Sequence, residues 1–437
     1  MVLSITSLLD RMHIKKLGKQ LLASLLERQV RAVRRRNSCA VIAVAGSVGK
    51  TTTKLATAEL LRSTYRVQYQ AGNYNDRLTV PLVFFGYTQP SIWNVFAWAR
   101  VVVRCSIAAR RPYPYDVVVV ELGTDGPGQL QKFAYLRPDI TILTAITPEH
   151  MEYFKTLDAV AVEELTVFNF SKQVLVNTQT VPAPYLQGKR FVSYGTESQS
   201  GATYCVSTER FYLGGQDLQI HTPSGMISGT VQYMGVQGAL CTVAAVAAAD
   251  LLGMPHHDIA DALRSLRPFA GRMQVLAGIQ GSTIIDDTYN ATPIATKAAL
   301  DVLYAAPASQ RIAVLGSMNE LGEYTQEAHE TVGAYCEAEK LAFVVTLGAD
   351  AQKWLAPAAQ KNGCTVVSFG SRRECAHYIL QHIQTGAVIL AKGSQNGVFA
   401  EEVVKYLLAD PADASRLVRQ STWWLAHKEK DDIAATL

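Results

Sequence analysis

Apolar residues fall along this chain in two rhythms. Short runs rich in valine and isoleucine, at residues 41–45, 116–123, 138–147 and 173–177, give way to glycine, threonine, asparagine or a carboxylate, as the buried strands of a parallel sheet do. Apolar positions three apart at Leu55, Ala58 and Leu61 predict a helix over 54–61. Residues 185–235 change character: runs at 191–194, 202–206 and 229–233 alternate between Gly, Ser and Thr, which predicts a small antiparallel subsheet. Helices are expected at 239–252, so alanine-rich that it reads as packing, and at 258–266. A second alternation begins after 267–272, with strands at 282–287, 311–315, 342–347, 366–369 and 387–392 and a helix at 294–303. The chain is read as α/β: a basic helical segment at 1–37, a central domain at 38–268 with a parallel sheet and a small β subsheet, and an α/β C-terminal domain at 269–437.

The turn between the first strand and the first helix, Gly46-Ser47-Val48-Gly49-Lys50-Thr51-Thr52, carries the clearest chemistry. Glycines let the backbone curl so that several N–H groups face one anion, and the helix N-terminus adds partial positive charge. In such a loop the lysine reaches the terminal phosphates of a nucleotide and the following hydroxyl meets the metal. Val44 stands where the longer phosphate-loop pattern has glycine, so the match is to the shorter Gly-x-x-Gly-Lys-Thr-Thr form. In open α/β sheets ligands sit at the carboxyl ends of the strands, which places Glu121 at the same rim as Lys50.

Charge and cysteine usage then narrow the setting. The 437 residues suffice for two or three domains, and 49% hydrophobic with 18% charged is an ordinary globular balance. Residues 1–37 carry nine Lys or Arg against two acidic residues, net +7 where the whole chain is +4, so no surface for nucleic acid is expected over the body. Seven cysteines without a Cys-x-x-Cys pair suggest reduced thiols in a cytoplasm, with no zinc site or disulfide framework. Apolar and basic residues alternate through 1–38 without a run long enough to span a bilayer. One reading is an amphipathic helix lying on an anionic membrane face; the other is a helix packed on the body with a solvated basic end. The stretch 93–109 reads as a docked helix that could join the first at a lipid surface.

Taken in order, further motifs follow the phosphate loop: Asn73-Tyr-Asn75 before Val-Pro-Leu, Glu121-Leu-Gly, Arg137-Pro-Asp-Ile, and Thr144-x-Ile-x-x-x-His150. Later come Gly271-Arg272, Asp286-Asp287-Thr-Tyr-Asn290-Ala-x-Pro293, Val314-Leu-Gly-x-Met-x-Glu320-Leu-Gly322 with His329, and Lys392-Gly-Ser394. With these the chain resembles the Mur ligases, the ATP-dependent muramyl-peptide ligases, over roughly residues 38–405, and looks closest to their D-alanyl-D-alanine-adding branch. The resemblance implies a phosphate-loop ATPase-type central domain and a Rossmann-like C-terminal domain that closes over it. It also implies ATP and Mg2+ as cofactors, and a small-molecule peptide or nucleotide-sugar-peptide as substrate. In that reaction a carboxylate and ATP give an acyl phosphate, which an amine attacks to leave an amide.

Carried over, Gly46 to Thr52 with Lys50 hold the phosphates, and Thr51 with Glu121 holds one magnesium, with His150 near a second. Arg272, Asp287 and Asn290 face the nucleotide. Asn75, Glu320, Lys392 and Ser394 fall on the substrate side. Each has a plainer alternative: His150 as a surface histidine, Asp286-Asp287 as a helix cap, Glu320 as a loop carboxylate.

Departures from the family pattern carry information too. Family members place a carbamylated lysine about a dozen residues after the histidine, whereas 161–165 here reads Ala-Val-Glu-Glu-Leu. Glu164 is expected to supply that carboxylate directly, with Glu163 pointing elsewhere. Ala145, Cys241, Ser317 and Gln395 also differ from the usual residues. The adding enzymes begin with a domain for the uridine-diphosphate sugar, which the segment before Ser38 is too short to form. The expectation is a different handle on the donor, either a membrane-linked intermediate or a partner protein. Three other functions stay open at this stage: a nucleotide-binding subunit without turnover, a relative that glutamylates folate or a polymer, and a phosphate-loop switch ATPase.

Overall fold

The central strands of the larger sheet, at 40–45, 117–121, 140–143 and 173–177, are apolar nearly from end to end and buried along almost their whole length, because both of their faces are covered. The computed structural model describes residues 2–72, 74–197, 201–395 and 397–434, with side chains described from residue 18 to residue 428. Asn73, and the side chains of the first half of the basic segment, lie outside the described residues. The chain divides into two compact units: residues 1–147, 157–205 and 242–262 form the first, and 148–156, 206–241 and 263–437 the second.

In the first unit the strands are β1 Ala40–Ala45, β2 Val67–Gln68, β3 Val117–Glu121, β4 Ile140–Leu143, β5 Gln173–Asn177 and β6 Val192–Thr196. They lie in the order β2-β3-β1-β4-β5-β6, and each neighbouring pair is parallel. Val44 pairs with Glu121 and Ala45 with Leu143, so the phosphate loop after β1, the carboxylate ending β3 and the Thr144–Thr147 exit of β4 share one rim. The 191–194 run, expected in the antiparallel subsheet, has a second neighbour as well: in the strand order β6 stands beside Tyr204–Tyr212 on one side, and on the other it pairs parallel with β5, Leu175 against Val192. Its connection, 178–191, is long enough for the crossover a parallel pair requires and too long for a hairpin.

The basic N-terminal helix, Val2–Arg36, is docked over its described part. Ala23 and Leu26 pack against Leu78, Leu82, Trp98 and Cys105, and Glu27 pairs with Arg77 at 2.6 Å. Arg34 donates to the carbonyls of Leu136 and Arg137 and lies 3.1 Å from Asp139. Its partner helix, Val95–Ala108, is capped by the Asn94 side chain, which accepts from Ala97 N at 2.9 Å.

The second unit holds the antiparallel subsheet and the second α/β layer. After β7 Tyr204–Tyr212, β8 Gly215–Thr222 and β9 Gly225–Val231 pair antiparallel through a tight turn at Pro223-Ser224. The later strands are β10 Gln274–Ala277, β11 Thr283–Asp287, β12 Arg311–Gly316, β13 Phe343–Leu347, β14 Val366–Phe369 and β15 Val388–Lys392, in the order β10-β11-β15-β12-β13-β14. All of these neighbours are parallel except the β10–β11 edge. Successive residues alternate between two cores: Ile285, Ala313 and Leu390 face the helices Pro293–Ala305 and Thr325–Tyr335, while Ile284, Ile312 and Ile389 face Arg372–His382 and Glu401–Leu407. Helices on both faces make it a doubly wound layer, in keeping with the α/β alternation expected of this part.

Candidate active site

The turn after β1 can adopt its shape only with glycine. Gly46 has φ 119°, and a Cβ there would lie 2.4 Å from Thr144 Oγ1 and 2.8 Å from Ala145 N. Ser47 ties the loop to the exit of β4, its N–H donating to Ala145 O at 2.9 Å while its Oγ accepts from Thr147 N at 2.8 Å. Gly49, at φ 85°, hands the chain to the helix Lys50–Leu61. Val48, Gly49, Lys50, Thr51 and Thr52 are half-buried, and the Lys50 ammonium folds back over the loop, donating to the carbonyls of Gly46 and Ser47. An ammonium and the amides of a helix start thus converge on one small region, the arrangement that suits a polyphosphate.

Beside that loop lies a buried carboxylate with a cation of its own. Glu121, 2% exposed, accepts from Thr51 Oγ1 at 3.3 Å through one oxygen, and its other oxygen is 3.2 Å from Lys54 Nζ. Lys54 is equally buried and also donates to Gly72 O at 3.2 Å. Asn75 O accepts from Gly123 N at 2.8 Å, and a Cβ on Gly123 would come within 2.7 Å of the Asn75 side chain. Asn75 is therefore held against the end of β3, while Gly72 is held by Lys54. A hydroxyl and a carboxylate are hard oxygen donors, and with Lys54 balancing the charge they fit a magnesium ion.

The two adjacent glutamates on the helix Leu157–Glu164 differ in environment. Glu163 accepts from the backbone N–H groups of Gly128, Gln129 and Leu130 at 2.6–2.7 Å and from Thr124 Oγ1 at 3.2 Å. It caps the short helical turn Leu130–Leu136. Removing it leaves three backbone donors without this acceptor, of which that of Leu130 is buried, so Glu163→Ala should cost about 1–3 kcal/mol of stability, read by urea denaturation. Glu164 is also buried, and lies one helical step of roughly 100° away on the helix.

In the second unit His150 and Glu320 meet. His150 Nδ1 is 2.9 Å from Glu320 Oε2, and Nε2 is 3.7 Å from Glu149. Both backbones are left-handed, φ 50° and 65°, unusual for non-glycine residues. The His150 hydrogen bond holds the Glu320 carboxyl below its ordinary value. The loop carrying Glu320 is braced by His329, whose Nε2 accepts from Met318 N at 2.9 Å while Nδ1 faces Thr325 O at 2.6 Å. Burial lowers the His329 pKa, consistent with a neutral imidazole in that role.

Elsewhere in this unit the residues expected on the nucleotide side and those expected on the substrate side form one network. Register sets Asp287 on β11 opposite Lys392 on β15. Lys392 Nζ lies 2.5 Å from Asp287 and donates to Asn290 O at 3.0 Å, while Asp287 also accepts from Met273 N. Burial pulls the Lys392 pKa down, with Asp287 opposing it. Burial likewise raises Asp286 to about 6. The Arg272 guanidinium stacks 4.2 Å above the Tyr289 ring. Ser394 Oγ accepts from Asn319 N at 3.0 Å, tying the Lys392-Gly-Ser394 turn to the neighbour of Glu320.

A profile of the Mur ligase middle domain matches residues 100–249, and one of the Mur ligase glutamate ligase domain matches 271–395. The chain belongs to the Mur ligase family. This Mur ligase is 26% identical over 381 residues to the UDP-N-acetylmuramoyl-tripeptide–D-alanyl-D-alanine ligase of Bacillus subtilis, covering 85% of this chain and 76% of the relative. It is 28% identical over 389 residues to the Synechocystis protein of the same name, covering 86% and 76%. Its fold matches MurF from Acinetobacter baumannii with TM-score 0.73 at 22% identity, covering 91% of this chain and 80% of that one. The Thermotoga maritima MurF ligase, solved in complex with ADP, matches at 0.70 and 22%, covering 89% and 83%.

Two bracing residues, one in each unit of this Mur ligase, carry little or no signal in the sequence. Lys54 left a faint signal, a lone cation on a helix whose other positions from 55 to 61 are mostly apolar. Arg419 left none. It donates to the carbonyls of Thr288 and Tyr289 at 2.6 and 3.0 Å and grips Glu401 through two 2.7 Å contacts, fixing the turn between Asp287 and Asn290 from the far end of the chain.

Proposed function

We propose that this Mur ligase forms an amide bond at the expense of ATP, joining D-alanyl-D-alanine or a similar amine to a muramyl-peptide carboxylate in peptidoglycan precursor synthesis in the cytoplasm. The grouping of Thr51, Glu121 and Lys54 beside the Lys50 loop carries this reading. It puts a nucleotide cradle and a charge-balanced cation ligand within one unit, and the named relatives supply the substrate class.

In this proposal Lys50 and the amides of Gly46 to Thr52 orient the polyphosphate, and Thr51 with Glu121 holds Mg2+. That ion, when bound, neutralises charge on the γ-phosphate so that an anionic carboxylate can approach it. The carboxylate oxygen attacks the γ-phosphorus and ADP leaves. The amine nitrogen then attacks the acyl carbon, phosphate departs with the bond electrons, and the amine loses a proton. Arg272, Asp287 and Asn290 take the nucleotide side, while Asn75, Glu320, Lys392 and Ser394 take the peptide side. Glu164 in the first unit is offered as a carboxylate for a second cation, His150 in the second unit is offered as a cation ligand in its own right, and a domain boundary near residue 268 separates the two sets of motifs.

Glu164 is the residue most open to test. Activity should be indifferent to added bicarbonate and should fall about 10²-fold in Glu164→Ala. A bicarbonate-dependent rate, or a fully active variant, would remove Glu164 from the reaction.

A further inference from the structure

We propose that the outer face of the two paired helices of the first unit, at residues 18–36 and 92–108, docks onto an anionic lipid bilayer. The inner face of this pair is packed, as described, whereas the outer face shows large apolar side chains to solvent. Phe96 is 90% exposed, Trp93 76% and Val95 72%, and Val103, Ile107 and Leu21 are exposed as well. Between the helices runs an apolar groove of about 510 Å³, lined among others by Leu22, Leu25, Ala99 and Val102 with Trp98 as its floor. Contiguous exposed apolar surface of this kind marks an interaction face.

Charge chooses the occupant. From Arg77 to Tyr115 the sequence holds five arginines and no acidic residue, net +5; with +7 over 1–37, the remainder of the +4 chain is net −8. Arg100 and Arg104 are exposed on the same side of the helix Val95–Ala108 as Phe96, Val103 and Ile107, one turn apart. Lys19 and Arg28 are exposed on the neighbouring helix. Long basic side chains interleaved with aromatic and aliphatic ones suit the headgroup boundary, where the stems lie among acyl chains and the cations reach anionic headgroups. A second copy of this chain fits worse, because a two-fold contact would bring Arg100 and Arg104 against their own counterparts. No helix among the described residues is long and apolar enough to cross a membrane, so the contact is with a surface.

This inference stands apart from the ligase reading and is tested without turnover, by sedimenting the full chain with extruded vesicles. It should pellet with vesicles of phosphatidylglycerol and phosphatidylcholine, release as salt rises, and stay in solution with phosphatidylcholine alone. A Trp93→Asp, Phe96→Asp double variant and an Arg100→Glu, Arg104→Glu double variant should each lose at least tenfold in vesicle affinity. Their melting temperatures and binding of a fluorescent ATP analogue should match the parent. Failure to pellet with the anionic vesicles, or unchanged affinity in both variants, would overturn the proposal. So would a concentration-dependent dimer that the aspartate variant abolishes while vesicles are ignored, which would assign the face to a second copy.

Discussion

Lys54→Met should destabilise the first unit by about 3–5 kcal/mol, because it leaves the buried Glu121 carboxylate without its cation. The same change frees the Gly72 carbonyl that Lys54 holds, loosening the turn that carries Asn75. Adding Glu121→Gln removes the unbalanced charge, so the double variant should recover most of the lost stability in denaturant titrations. It should recover none of the Mg2+-dependent nucleotide affinity, since a carboxamide is a poorer ligand for a hard cation. A double variant as unstable as the single one would mean that Lys54 acts through packing alone.

Lys50→Ala should lower turnover by about 10³-fold or more, the scale on which a cation aimed at a transferring phosphoryl group contributes. Stability should change little, because the Lys50 ammonium rests on two loop carbonyls of a half-buried turn. Single-turnover phosphate release with stopped-flow detection separates this from a folding defect. A variant that unfolds early yet turns over normally when folded would remove Lys50 from the chemistry.

Why were these two lysines so unequally legible? Lys50 sits in a loop whose glycines and following threonines announce an anion site. Lys54 lies inside a helix, where a single cation reads as a solvated position until the register of β1 and β3 shows Glu121 arriving beside it. The central strands β1, β3 and β4 were plain in the sequence because strands covered on both faces must be unbroken apolar runs. For β6 the alternation shows a half-covered strand but not both of its neighbours: beside the expected Tyr204–Tyr212 strand it also pairs parallel with β5. For Glu163, expected to point away from the cation, the structure shows a capping role instead, three backbone N–H groups around its carboxylate. Arg419 could not be read from local pattern at all, since its partners at 288–289 and 401 are set by the closing of the second sheet.

The same limit explains Lys392 and Asp287. As sequence they stand in separate motifs with separate expected roles, and only the register of β11 against β15 joins them. Their shared burial means that a change at either one disturbs both the Asp287–Asn290 turn and the Lys392–Ser394 turn.

The central claim is that the Lys50 loop and the Glu121 carboxylate serve to activate a carboxylate as an acyl phosphate for an incoming amine. Mass spectrometry and phosphate release after incubation with ATP, Mg2+, a UDP-N-acetylmuramoyl-tripeptide and D-alanyl-D-alanine test it most directly. The account predicts ADP, phosphate and a new amide-linked product in equal amounts, each requiring both the carboxylate donor and the amine. Phosphate release at the same rate with either substrate omitted, and no new amide, would contradict it.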